Sequence, residues 1–548
     1  MKCDVVVVGS GAGGGPIAYE LAKAGASVIV LEKGPRHEKK DFVHDEISTC
    51  RRNFFLPWPD DDPHVVLASP DAKPNRTNAG WISQCVGGGT VHMSGFFFRF
   101  HEKDFALSKH YGPLNGSTAI DWPFGYDTLA PYYDKVEKVV GVSGDVSKNP
   151  FEPPRSGPFP YDPVLTHPIS RWIDEAGDAL GLHPFHVPRA IITRPEGDRG
   201  ACVYHGLCGS YGCEVGAKSS TLASLIPGAE KAGARVLPKS MVREIVMKKD
   251  GRAKGVVFED ETGARHEVEA KIVVVACSAI ESARLLLLSG SSAHPRGVGN
   301  NADQVGRNLC FSTLGQLTGD IAYDGLDDTA KAELKNGMPF IGRAVQDFYE
   351  VDPSGDVFGK GGTFHLLFEH DNPIHAAERL IRDKNGLVYG EALMKKLHAH
   401  FTERRTLEVE CFSEWLPTDG CRVTLDDNAT DRWGLPAARI TLNRHPSDRA
   451  ASALLVGRAR VLLEKLGATN IRTLDVGGVT YVLQHGTCRM GSDPNTSVTT
   501  PAGHLHEVDN VYVTDGGSLP SSGAVPSTMT ILANAFRIAD GMKSKLAG

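Results

Sequence analysis

The opening of the chain leaves few choices about how it folds. Val5 to Val8 is an unbroken valine run, and branching at Cβ favours an extended strand over a helix. Gly9-Ser10-Gly11-Ala12-Gly13-Gly14 follows at once, then a small-residue helix over Pro16 to Gly25 and a second strand, Ser27 to Leu31, that ends at Glu32. Strand, glycine turn, helix and strand in this order, with Gly9, Gly11 and Gly14 in step, make a dinucleotide-binding fingerprint. The glycines serve in turn a tight bend, close approach of backbone to a pyrophosphate, and close packing of helix on strand. The helix amino terminus offers unpaired N–H groups and a positive dipole end to the phosphates. Glu32, about 20 residues on, is placed to accept hydrogen bonds from the ribose of an adenosine half.

Further along, Gln84 to Gly95 is a second glycine-rich segment, with Gly87, Gly88 and Gly89 in a row and His92 just after; backbone there can approach a flat ring or a phosphate closely. Residues 35–75 carry Pro, Asp and His with little periodicity, an excursion from the nucleotide-binding part. Residues 111–190 read as an irregular inserted segment. Strand-like runs return at Ala234 to Leu237, Met241 to Met247, Gly255 to Phe258 and Lys271 to Ala276, the last leading into an apolar helix over Arg284 to Leu288. Within 311–470, alternation at Leu407 to Phe412 and Arg422 to Leu425 predicts an antiparallel sheet, closed by a helix over Ser447 to Leu466. A strand at Asn510 to Val513, a glycine turn and a helix from near Thr528 end the chain. The fold class is therefore α/β, or α+β, with a Rossmann-like nucleotide domain.

Composition narrows the partners. The 548 residues carry 59 basic and 66 acidic side chains, a net charge of −7 with the two signs intermixed, so no basic stripe is available to release counterions from nucleic acid. No apolar run approaches the ~20 residues of a membrane span, and the amino end enters a strand at once, which leaves no room for a signal peptide. Eleven cysteines in a chain of this size suggest thiols or a metal site in a reducing compartment, the cytoplasm, or the periplasm only if a partner carries the chain there, rather than a disulfide framework.

The motifs together resemble the glucose-methanol-choline (GMC) family of FAD-dependent oxidoreductases. The resemblance rests on Gly9 to Gly14 with Glu32, Val86 to Gly95, Ser278 to Gly290, Gly486-Thr487-Cys488-Arg489-Met490-Gly491, and Asp509 to Ala533. It departs at Ala283, where the family often has Pro. It implies an FAD domain split over 1–45, 76–110, 195–310 and 471–548, and an antiparallel-sheet substrate domain with inserted segments over 46–75, 111–194 and 311–470. It implies that backbone near Val242 meets the adenine and Asp515-Gly516 the pyrophosphate. The helix after Pro526, with Thr528 and Thr530, would face the flavin pyrimidine, where its dipole favours an anionic reduced ring. His92 stands where some members attach the flavin covalently. Cys202, Cys208 and Cys213, with His205 between them, are similar to the cysteine segment of membrane-associated glucose and gluconate dehydrogenases, whose thiolates hold an iron–sulfur cluster that relays electrons to a cytochrome. Buried or disulfide-linked cysteines are the alternative.

The catalytic positions depart from the family. The histidine expected three residues before Gly486 is Leu483, and the Asn or His expected at the start of the last helix is Pro526 or Val525. Alcohol oxidation needs a base for the hydroxyl proton, and His485 is the histidine within that motif, provided a strand bulge aims it at the substrate. Tyr481, Gln484 and Ser527 are substitutes for positioning a hydroxyl; His504 and His506 read as edge residues, and Trp81 with Phe96 to Phe98 as core or pocket wall. The expected function is a FAD-dependent dehydrogenase of a sugar, glycoside or polyol CH–OH group, delivering electrons to a carrier, with a cytochrome or a small accessory subunit as the expected partner. The alternatives are a lyase-type reaction on the same scaffold and a non-catalytic flavin subunit.

Overall fold

The computed structural model describes residues 1–337, 340–368, 372–383 and 386–547. The valine run becomes the strand Lys2–Val8, flanked by parallel neighbours Val28–Leu31 and Arg265–Val275, with Arg235–Leu237 beyond the first. Val5 to Val7 are fully buried, because helices cover both faces of a parallel sheet. One cover is built from Gly14–Lys23 and Thr528–Ala547, whose Ile17, Leu21, Ala535 and Ile538 share one core with Val5, Val7 and Val30. On its far edge Arg265–Val275 forks: its first half pairs with the antiparallel strand Ala253–Glu259, and its end with the parallel Val511–Val513. The two ends of the chain therefore meet in one sheet.

A second sheet is antiparallel, ordered Thr469–His485, Cys310–Ala322, Arg404–Ser413, Gly362–Phe368, Arg343–Val345 and Phe185–His186. The helix Pro446–Lys465 backs it, packing Leu455, Ala459 and Leu462 against Leu317, Leu366, Leu407 and Val409. Side chains alternate along a strand, so Glu408, Glu410 and Phe412 fall on the face away from that helix. Thr469–His485 runs in this sheet although its residues were expected with the nucleotide part; long backbone pairing with Cys310–Ala322, bulged at several points, holds it there.

Two segments expected to be irregular carry regular structure. His64–Leu67 and Asn75–Thr77 join Arg422–Thr430 and Pro436–Thr441 in a four-stranded sheet. The inserted segment holds the helices Tyr126–Val136 and Ile169–Asp178, the first despite Pro131. Their aromatic and turn-forming residues hide the period, and tertiary burial of Leu129, Tyr133 and Val136 sustains the first helix.

Candidate active site

A cavity of about 780 Å³ runs from the glycine turn to the inner face of the antiparallel sheet. Gly9, Gly11 and Glu32 line one end of it, with Val242 and Leu285 beside them. The fingerprint glycines are sterically required: Gly9 has φ +98°, and a Cβ on Gly14 would lie 2.0 Å from the Gly9 carbonyl oxygen. Gly14 itself does not face the cavity, in keeping with its place in the helix–strand packing.

Glu32 is held from several directions. Its carboxylate accepts from Ser10 N–H at 3.1 Å, from Ser10 Oγ at 2.7 Å and from Gly34 N–H at 3.0 Å. Burial raises its pKa against those donors. Ser10 Oγ also accepts from Gly87 N–H at 2.9 Å, so one hydroxyl ties the first glycine segment to the second. Gly88, Gly89 and His92 line the cavity, whereas Gly87 turns behind it with φ +98°. The His92 ring stacks on Phe55 at 4.8 Å, its Nε2 meets the Ile82 carbonyl at 2.8 Å, and burial lowers its pKa to about 4.

Opposite, Asp515 and Gly516 form the wall together with Ser527 and Thr528. Asp515 accepts from Gly517 N–H at 2.8 Å and from the Ser282 hydroxyl; burial pushes its carboxyl up to about 6 against those bonds. Thr530 sits elsewhere: its hydroxyl is bonded to Tyr133 OH at 2.8 Å, one helical step away from the cavity.

His485 differs from its expected placement. It is fully buried at the end of Thr469–His485 and lies behind the wall that Leu483, Gln484 and Ser527 present. The bulges upstream do not turn it inward. Its Nε2 is 2.6 Å from Ser527 Oγ, and burial lowers its pKa to about 3, so the ring is neutral. The imidazole therefore reaches the cavity through the Ser527 hydroxyl. Gln484 is committed to backbone, its amide donating to the Gly80 and Tyr481 carbonyls. His504 and His506 are bonded within their own loop, to the Leu505 carbonyl and to Ser497.

Under the antiparallel sheet the lining changes character. Leu314, Phe412, Val479, Tyr481 and Phe96 are joined by an acid, Glu410. Glu410 is half-buried; burial, then the neighbouring Glu408, pushes its carboxyl up to about 8. Neither Glu410 nor Ser10 was singled out by the sequence reading. The alternation in Leu407-Glu408-Val409-Glu410-Cys411 was the available signal, since it puts two acids on one face of a strand whose other face is core.

The three cysteines line a separate small pocket with Ile191, Leu207, Val215 and Phe340. Lys218 is buried beside them, its Nζ donating to the carbonyls of Met93, Cys208 and Tyr211 at 3.1, 2.6 and 2.6 Å. Arg189, also buried, donates to the Ser94 carbonyl at 2.6 Å and faces the rings of Phe96 and Phe340. No carboxylate pairs with either cation among the described residues. Burial pushes the Cys202 thiol up to about 12, raises Cys208 and lowers Lys218 to about 8, so the surroundings favour neutral thiols here, while Lys218 and Arg189 are the cations beside them. His205 is engaged otherwise, with Nδ1 accepting from Leu207 N–H at 3.0 Å and Nε2 3.4 Å from Glu214.

The elongated cavity also fits FAD: glycine turn and carboxylate at one end, apolar wall beside them, and a broad chamber under the second sheet at the other. Comparison with known proteins agrees. The sequence patterns of the GMC oxidoreductase family match residues 20–313 and 417–535. The 2-methyl-1,2-propanediol dehydrogenase of Mycolicibacterium austroafricanum is 34% identical over 98% of this chain and 95% of its own. The fructose dehydrogenase large subunit of Gluconobacter japonicus is 26% identical over 100% of this chain and 98% of its own. Among solved structures, one that concerns FAD modification in Aspergillus oryzae formate oxidase superposes with a TM-score of 0.65 at 15% identity, covering 99% of this chain and 98% of that one. No helix among the described residues is long and apolar enough to cross a membrane.

Proposed function

This chain belongs to the GMC oxidoreductase family, and on that premise we propose that it is an FAD-dependent dehydrogenase that oxidises a CH–OH group of a sugar, glycoside or other polyol and passes the electrons to a carrier. The observation that carries the reading is the cavity on which the fingerprint loop, Glu32, Asp515 and Ser527, backed by His485, converge. The diol and fructose dehydrogenases among the relatives support the substrate class.

The loop from Gly9 with the helix amino terminus behind it, and Asp515-Gly516, would hold the pyrophosphate; Glu32 would take the ribose, Val242 the adenine side, and the start of Thr528–Ala547 the ring. Bound FAD would supply the two-electron acceptor for the hydride. The chain's own contribution is the proton. A substrate hydroxyl in the cavity donates to Ser527 Oγ while the Ser527 proton passes to His485 Nε2. A neutral imidazole is the form that accepts; burial keeps it neutral and at the same time weakens it as a base. His485→Gln preserves a hydrogen bond to Ser527 and removes the proton acceptor, so kcat should fall about 100-fold with flavin content and KM little changed. An unchanged kcat would remove His485 from the mechanism.

The three thiols extend the same reading. Cys202, Cys208 and Cys213 would hold an iron–sulfur cluster next to Lys218 and Arg189, giving the electrons a way out to a cytochrome or an accessory subunit. Iron and acid-labile sulfide measured on the purified protein test it; flavin without iron would leave the thiols structural. A cytoplasmic site of action is the reading of the cysteine content.

A further inference from the structure

We propose that His365 and Glu410 form a second hydroxyl-binding site beside the flavin cavity, which makes the substrate a compound with at least two hydroxyl groups. The inference rests on the alcohol-oxidising reading and narrows it. A chamber of about 490 Å³ adjoins the cavity and shares Ser94, Phe96, Ser210 and Glu410 with it. His365 and Glu410 are direct partners across the antiparallel strands Gly362–Phe368 and Arg404–Ser413. Directly opposed residues put their Cβ atoms about 5 Å apart on one face of the sheet, and both side chains line this chamber.

What sets the pair apart is that it is unsatisfied. His365 is 1% exposed and neither ring nitrogen has a hydrogen-bond partner among the described residues. Its ring is fixed by aromatics: stacked on Phe98 at 5.1 Å, edge-on to Phe96 at 4.7 Å and tilted against Phe412 at 5.1 Å. No hydrogen bond or ion pair reaches the Glu410 carboxyl from the described residues either. Gln316, on the other side of Glu410 in the sheet, is committed to Glu408.

Buried polar groups are nearly always paired, so the two open ring nitrogens of His365, beside the unpaired carboxyl of Glu410, mark where a ligand's polar atoms go. A neutral imidazole offers one donor and one acceptor, a protonated carboxyl offers one donor and acceptors, and a hydroxyl is both donor and acceptor. A polyol with its reacting carbon by Ser527 and a second hydroxyl between His365 and Glu410 links one ring nitrogen to the carboxyl. A monohydric alcohol leaves His365 buried and unpaired, a loss on which a pocket discriminates strongly.

The test compares kcat/KM for a vicinal diol, the matched monohydric alcohol and the matched amino alcohol, in the wild type, His365→Phe and Glu410→Leu. It adds calorimetric titration of each holoenzyme with pinacol, a diol with no hydrogen on its carbinol carbons, against tert-butanol. The wild type should prefer the diol about 100-fold, and both variants should bring that ratio towards one and weaken pinacol binding about tenfold. Glu410→Leu places an alkyl group beside Leu314 and Phe412, so its Tm should not fall, which separates loss of recognition from loss of fold. A wild type that oxidises alcohols without a diol preference, variants that keep the preference, or a preference for the amino alcohol would each overturn the inference. A wild type that binds pinacol over tert-butanol yet oxidises no alcohol would instead overturn the alcohol-oxidising chemistry on which it rests.

Discussion

The two ends of the long cavity obey different rules. At the nucleotide end polar groups are satisfied within the protein: Glu32 has three donors and Asp515 two. Under the antiparallel sheet, among the described residues, His365 has none for either nitrogen and Glu410 none for its carboxyl. A prebuilt frame presents a constant cofactor, whereas polar groups left open are held for a molecule that comes and goes. The open end costs stability, a common state for substrate sites.

That contrast is sharpest where sterics rule. Gly14→Ala puts a methyl 2.0 Å from the Gly9 carbonyl oxygen and should cost about 3 kcal/mol together with most of the bound flavin, read by urea unfolding and by flavin absorbance per protein. Retained flavin at full stability would show that the frame tolerates slack. At the junction of the two ends, Ser527→Ala should lower kcat about 100-fold, and the double variant Ser527→Ala/His485→Gln should be no worse than either alone, because the two act as one relay. Additive losses in steady-state rates would separate them.

Glu32→Gln replaces one acceptor oxygen by an NH2 that faces donors, so FAD affinity should fall about tenfold, equivalent to ~1.4 kcal/mol, measured by titrating apoprotein with FAD. The smallest effect belongs to the open end. Glu410 has its native pKa at about 8, above the ordinary value of about 4.3, so the folded state keeps a proton that the unfolded chain gives up. Its contribution is whole below pH about 4.3 and is lost as pH rises to about 8. Glu410→Leu removes that loss and should gain on the wild type progressively across this window in unfolding experiments; a constant offset would place Glu410 in water.

The same division governs what the sequence shows. The nucleotide end is local: a valine run, three glycines and Glu32 lie within one strand–turn–helix–strand unit, so the period and spacing of residues reveal it. His485 is misjudged from sequence because one residue of register decides whether a side chain faces a cavity or a core, and that register is set by pairing with Cys310–Ala322, far away in the chain. Thr530 fails in the same way, one step round the helix and into Tyr133. His365 and Glu410 are separated by a helical excursion and meet only when two strands pair; no local pattern joins them. The strand His64–Leu67 was hidden among Pro and Asp residues and exists through its partner Pro436–Thr441.

The central claim, that this cavity oxidises alcohols with bound FAD, is tested most directly by the absorption spectrum of the purified protein before and after anaerobic addition of a sugar and polyol panel. The account predicts flavin bands that bleach with a polyol and recover when an electron acceptor is added. Flavin bands that no alcohol bleaches would contradict it and leave the fold serving another chemistry.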